Sequence, residues 1–94
     1  MGIDLGTTFS CVGLWRPGDE KPQILANDRN NMTTASVVSY DQGDQITVGG
    51  AAIDAGVQGG TVVYDVKRLI GRSINDRSVE GMRANWPFEL AIDD

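Results

Sequence analysis

The sequence predicts an α/β fold, and three features carry that expectation. Residues 1–10 bring a short apolar strand to an acid, a glycine turn and two threonines before a second strand begins. Within residues 9–15, Phe9, Cys11 and Gly13 alternate with Val12 and Leu14. Both faces are then apolar, as in a strand covered on both sides in a layered protein. Further along, Val62, Val66, Leu69 and Ile70 recur at roughly helical spacing.

Taken in order, residues 3–5 end a first strand and residues 9–15 form a second. Arg16-Pro17-Gly18-Asp19 is a turn signal, and residues 23–26 make a third strand, completing an antiparallel meander. Residues 27–31 are turn formers. Residues 35–40 are rich in β-branched side chains and predict one strand, which residues 41–44 turn and residues 46–48 bring back as a hairpin. A short helix over 51–57 is weakened by Gly56, and Gly59-Gly60 interrupts the chain. The spacing predicts a helix over 62–70 stopped by Gly71, with Lys67 on a face adjoining the apolar one. Residues 75–85 hold another helix, and Trp86-Pro87-Phe88 opens a final strand over 88–92. No internal repeat, low-complexity tract or domain linker interrupts this order.

Ninety-four residues suffice for one small domain with a thin margin of stability. Hydrophobic content of 40% and charged content of 22% place the chain among globular and not disordered sequences. Cys11 is the one cysteine and there is no histidine, which excludes an internal disulfide, a His/Cys zinc site and a His-based catalytic triad. The net charge of −5 argues against general nucleic-acid affinity. Residues 67–83 nevertheless carry +3, leaving −8 on the rest. A solvated helix face explains that cluster, and so does service to an anionic ligand. The first apolar run is broken by Asp4 and lacks a basic leader, and no stretch approaches a transmembrane span. The expected location is therefore intracellular and away from membranes.

The first ten residues suit a metal-bound phosphate held against backbone. Asp4, at a strand end, can face Mg²⁺ through its water shell, since Mg²⁺ dehydrates reluctantly. Gly6 allows a tight turn and close approach to an oxyanion. The amides and hydroxyls of Thr7 and Thr8 can donate to phosphate oxygens. The pattern G-x-x-x-x-G-K-[ST] is absent, so any phosphate site here is a hairpin and not a strand-to-helix loop. An ordinary β-turn containing glycine and threonine is the alternative.

Three stretches together resemble the ATPase domain of the seventy-kilodalton heat-shock protein chaperones. They are G-I-D-L-G-T-T-F-S-C-V-G at 2–13, A-N-D-x-x-N-x-T-T-x-S at 26–36 and T-V-x-x-D-x-K-R-L-I-G-R at 61–72, with Trp86-Pro87-Phe88 as a shorter fourth. D-L-G-T-T also occurs in sugar kinases and bacterial actin-like proteins, whereas K-R-L-I-G-R is far more specific. The resemblance implies the actin/hexokinase-like ATPase superfold (ribonuclease-H-like), present in part. On that reading residues 1–94 are an N-terminal fragment of a nucleotide-binding domain, with both ends cut. Residues 1–26 would be its phosphate-binding hairpin and third strand, and residues 27–94 part of the smaller upper subdomain.

The resemblance also implies roles. Asp4 matches the acid that holds the Mg²⁺ shell, Thr7 and Thr8 the phosphate-contacting pair, and Gly6 and Phe9 flank them in the nucleotide-binding turn. Lys67 matches the lysine directed at the terminal phosphate and the attacking water, so Lys67 and Asp4 are the expected catalytic residues. ATP or ADP and Mg²⁺ are the implied ligands; client polypeptides and co-chaperones are the implied partners, in the cytoplasm or an organelle. Arg68 and Arg72 match family arginines, for which intersubdomain salt bridges serve as well as ligand contact. Trp86 is expected to pack, and Cys11 to be a small buried apolar residue. Met32, Ala35 and Phe9 stand where the family has arginine, proline and, in many members, tyrosine. Residues 53–60, with three glycines, fit the family poorly, and these departures put the smaller subdomain's rigidity in question more than its chemistry.

Three functions follow from this reading. One is ATP binding and hydrolysis within a folding chaperone, with the 94 residues alone expected to be inactive. Another is a sugar kinase of the same superfold, for which no carboxylate base is nominated. The third is a truncated, non-catalytic binding module.

Overall fold

The computed structural model describes residues 1–41, 43 and 45–92. It is a mixed α/β structure with two antiparallel sheets. The first contains β1 (Gly2–Leu5), β2 (Phe9–Leu14), β3 (Gln23–Ile24) and β4 (Thr34–Ala35). β1 lines one edge of β2, from Gly2 opposite Gly13 to Leu5 opposite Ser10. β3 and β4 lie end to end on the other edge, with Ile24 opposite Gly13 and Ala35 opposite Phe9. The predicted meander is thus formed. The expected double covering of β2 is not: its residues are half-buried, Phe9 is 57% exposed, and β1 is exposed throughout. The helix that packs on a sheet in this chain packs on the other one.

The strand expected over 35–40 is in fact two. β4 ends at Ala35, the Ser36 amide donates to the Thr8 carbonyl at 2.9 Å, and β5 (Val38–Tyr40) starts the second sheet. A run of β-branched residues promises extended backbone, but the pairing partner decides where a strand ends. β5 is central, flanked by β6 (Ile46–Val48) and β7 (Thr61–Val63), so the predicted hairpin is present. Its turn lies partly outside the described residues, at Gln42 and Asp44.

Helix α1 (Gly50–Val57) packs against this second sheet. Ser39 is opposite both Thr47 and Val62, so these three share a face. A Cβ at Gly56 would overlap a Val62 methyl group. The glycine that lowers intrinsic helix propensity therefore lets helix and sheet approach, and Ala52 beside it is fully buried.

Two further expectations need correction. The helix predicted over 62–70 is replaced by β7 and a 3-10 turn at Val66–Arg68. Thr61, Val62 and Val63 are stiff at χ1 and suit a pleated ladder, and Asp65, at φ 60°, interrupts any right-handed helix. Gly71 does take the left-handed conformation, at φ 75°. The final strand expected over 88–92 is absent, since no strand runs beside it among the described residues. Instead Trp86 and Phe88 stack with centroids 5.2 Å apart and planes 15° off parallel, and Tyr64 meets the edge of Phe88.

Helix α2 (Arg77–Arg83) is shorter than the 75–85 expected. Asp76 is its N-cap, accepting from the Ser78 amide at 2.9 Å and from the Ser78 hydroxyl at 2.6 Å. The Ser78 hydrogen bonds, side chain first and then backbone, hold the Asp76 carboxyl below the usual carboxylate range, with smaller help from Arg72. A depressed pKa means the cap is fully present above about pH 4, the region of a free aspartate, and is lost as pH falls through the lower folded value. Acid titration followed by nuclear magnetic resonance should therefore release the Ser78 amide only below that point, and Asp76→Asn should flatten the transition.

Little of the apolar content is buried. Ala52, Val79 and Trp86 form the buried apolar set, while Ile3, Leu5, Ile46, Val48 and Ile70 are 60% exposed or more. The accessible surface is 7321 Å², against about 5,300 Å² for a compact protein of this mass. The radius of gyration is 16.2 Å, where about 12 Å is usual. The 94 residues on their own are thus expected to be marginally stable. Ser39 deepens this: it is fully buried, and its hydroxyl has no hydrogen-bond partner among the described residues. Ser39→Ala should raise stability by about 1 kcal/mol, because an unmade buried hydrogen bond costs more than a missing hydroxyl. Chemical denaturation would measure it.

Candidate phosphate-binding site

The β1–β2 connection closes on itself at Gly6. A Cβ there would overlap the Phe9 carbonyl oxygen, so only glycine fits this turn. Space, and not a positive φ, imposes the requirement. Asp4 lies on β1 opposite Cys11, one residue before the strand's end. Asp4 and Thr8 are exposed and Thr7 is half-buried. No hydrogen bond or ion pair engages the side chains of Asp4, Thr7 or Thr8 among the described residues. A carboxylate and two hydroxyls therefore stand ready on one tight turn. Phe9 follows it as the first residue of β2, largely exposed. Cys11 is only half-buried, short of the full burial expected from sequence.

Sequence reasoning gave Ser36 no role, yet it secures this turn. Its hydroxyl donates to the Gly6 carbonyl at 2.7 Å and lies 2.8 Å from the Ser10 hydroxyl, while its amide holds Thr8. The T-T-x-S stretch contained the signal, but a serine after two threonines looks like any strand residue.

Lys67 sits on the 3-10 turn that follows β7, exposed and without an ion-pair partner among the described residues. Its support also went unread. The left-handed Asp65 directs one carboxylate oxygen to the Trp86 indole N–H at 3.2 Å and the other towards Arg68 Nε at 3.5 Å. The Tyr64 hydroxyl donates to the Asn85 carbonyl at 3.4 Å. The aromatic cluster of residues 64, 86 and 88 thus clamps the entry to the turn, and Trp86 is the packing residue expected. Arg68 and Arg72 form local pairs with Asp65 and Asp76, at 3.5 and 3.6 Å. Such half-exposed pairs are worth little.

No hydrogen bond or ion pair brings Lys67 to Asp4, Thr7 or Thr8; the turn belongs to the first sheet and the lysine follows the second. Two clefts of about 600 and 560 Å³ lie by α1 and β7, lined by residues such as Ile53, Val62 and Tyr64 or Tyr40 and Thr61. Neither includes any of these functional candidates. The β1–β2 turn is open to solvent, with Asp4, Thr8 and Phe9 exposed. Among the described residues no three His, Cys, Asp or Glu side chains converge as metal ligands. No helix among them is long and apolar enough to cross a membrane.

Comparison with known proteins adds the frame. The family model described as Hsp70 protein matches residues 1–94. The chain is 44% identical over 91 residues to a heat shock cognate HSP70 protein of Trypanosoma brucei brucei, covering 96% of this chain and 13% of that relative. It is 40% identical over 89 residues to heat shock 70 kDa protein cognate 1 of Drosophila simulans, covering 95% and 41% respectively. It is also 40% identical over 90 residues to a heat shock 70 kDa protein of Emericella nidulans, with 96% and 14% covered. The chain therefore spans from 13% to 41% of the length of these relatives.

Proposed function

This chain belongs to the Hsp70 protein family, and we propose that it forms the first phosphate-binding wall of an ATP-hydrolysing chaperone domain. The observation that carries the reading is the turn at Gly6: closed so tightly that only glycine fits, with the side chains of Asp4, Thr7 and Thr8 unengaged beside it. In the proposed domain arrangement, residues 1–26 are the phosphate hairpin and third strand of one lobe of an actin/hexokinase-like fold. Residues 27–94 belong to the smaller subdomain above.

The donor set fits Mg·ATP. The hydroxyls of Thr7 and Thr8 would donate to phosphate oxygens, and Gly6 and Phe9 would shape the backbone around them. Asp4 would hold the hydrated Mg²⁺, which neutralises phosphate charge when bound. The Lys67 ammonium would stabilise the charge that spreads over the γ-phosphoryl oxygens as water attacks, without exchanging a proton. Client polypeptides and co-chaperones would act through the full-length protein, in the cytoplasm.

The test is ADP release by the native full-length protein, with and without a sugar acceptor. Steady Mg²⁺-dependent release in the absence of sugar supports the chaperone ATPase. Release only with sugar would move the function to a kinase of the same superfold, and no release with no nucleotide binding would leave a non-catalytic binding module.

A further inference from the structure

We infer that Ser36 is the positioning residue of the phosphate turn, tying its geometry to the second sheet; this rests on the nucleotide reading above. Three contacts converge on it. The Ser36 amide donates to the Thr8 carbonyl at 2.9 Å, its hydroxyl donates to the Gly6 carbonyl at 2.7 Å, and the same oxygen lies 2.8 Å from the Ser10 hydroxyl. With its single proton committed to Gly6, the Ser36 oxygen accepts from Ser10, so each hydroxyl has one defined role. One residue thereby fixes the carbonyls of Gly6 and Thr8, and with them the two peptide planes that carry the Thr7 and Phe9 amides.

The position in the chain gives this its consequence. Ser36 lies between β4, which pairs with β2 beside the turn, and β5, the central strand of the second sheet. The Gly49 amide donates to the Val37 carbonyl at 2.8 Å, and Gly49 is the N-cap of α1. A shift of the Gly6–Thr8 peptides on phosphate binding therefore acts directly on the joint between the two sheets.

The experiment compares Ser36→Ala and Ser36→Thr with wild type in the native full-length protein. It measures the Kd for Mg·ATP, kcat at saturating ATP and hydrogen exchange of residues 6–9. Losing one net hydrogen bond corresponds to about a fivefold effect. Ser36→Ala should weaken Mg·ATP about fivefold and speed exchange in the turn, with kcat within twofold, because phosphate contacts made equally in ground and transition states change affinity and not turnover. Ser36→Thr, which keeps the hydroxyl, should restore both. A general loss of folding would instead lower apparent kcat with Kd unchanged, and that outcome overturns the proposal. So does wild-type affinity in Ser36→Ala. Failure of the wild type itself to bind nucleotide would overturn the reading of the site, and the positioning role with it.

Discussion

Replacing Lys67 with alanine should lower kcat for the proposed ATP hydrolysis by the native full-length protein about a hundredfold or more, the scale lost when one preorganised charge-stabilising donor is removed. Nucleotide affinity should change little. The structure explains why the two separate: Lys67 is on the 3-10 turn beyond β7, whereas the phosphate-binding candidates are on the β1–β2 turn of another sheet. Lys67 also makes no ion pair with any described residue, so its removal strands no carboxylate and should leave the fold intact. Single-turnover hydrolysis beside equilibrium ATP binding measures both quantities. Unchanged turnover would remove the lysine from the mechanism. Asp65 gives an internal control, because it holds the turn through Trp86 and Arg68 without being a candidate ligand itself.

Gly6→Ala should be nearly as damaging, but in binding. The added Cβ would overlap the Phe9 carbonyl oxygen, and a backbone atom cannot rotate away as a side chain can. Relieving that overlap means opening the turn, at about 1–3 kcal/mol of overpacking cost. Opening would also break the Ser36 contact to the Gly6 carbonyl. Mg·ATP affinity should fall at least tenfold while the thermal midpoint drops by several degrees. Gly56→Ala is the informative comparison. Its Cβ would meet only a Val62 methyl, which a rotamer change can move, so stability should fall with nucleotide affinity kept. Equal loss of affinity in both variants would mean that the Gly6 effect is one of general destabilisation.

The contrast between those two glycines also marks what a sequence can disclose. The β1–β2 turn was legible because its signal is local: an acid, a glycine and two threonines between two apolar runs leave few backbone solutions. Gly56 looked like a defect because its use depends on Val62, six residues on and on a different element. The same blindness placed a helix over 62–70. Valine and leucine spacing there fits a helical period, but pairing of Thr61–Val63 with β5 is a long-range contact that no local period encodes. Residues 35–40 failed similarly, since the break at Ser36 is set by hydrogen bonds to Gly6 and Thr8 from nearly thirty residues earlier. Lys67 was nominated as a candidate by its surrounding motif, yet the Asp65–Trp86 contact that supports its turn spans 21 residues and had no local mark.

The most direct measurement of the central claim is backbone hydrogen exchange of the native full-length protein with and without Mg·ATP. The account predicts protection at Gly6, Thr7, Thr8 and Phe9 that requires Mg²⁺ and disappears in Gly6→Ala. Protection confined to residues elsewhere in the chain, with the turn unchanged at saturating nucleotide, would contradict it.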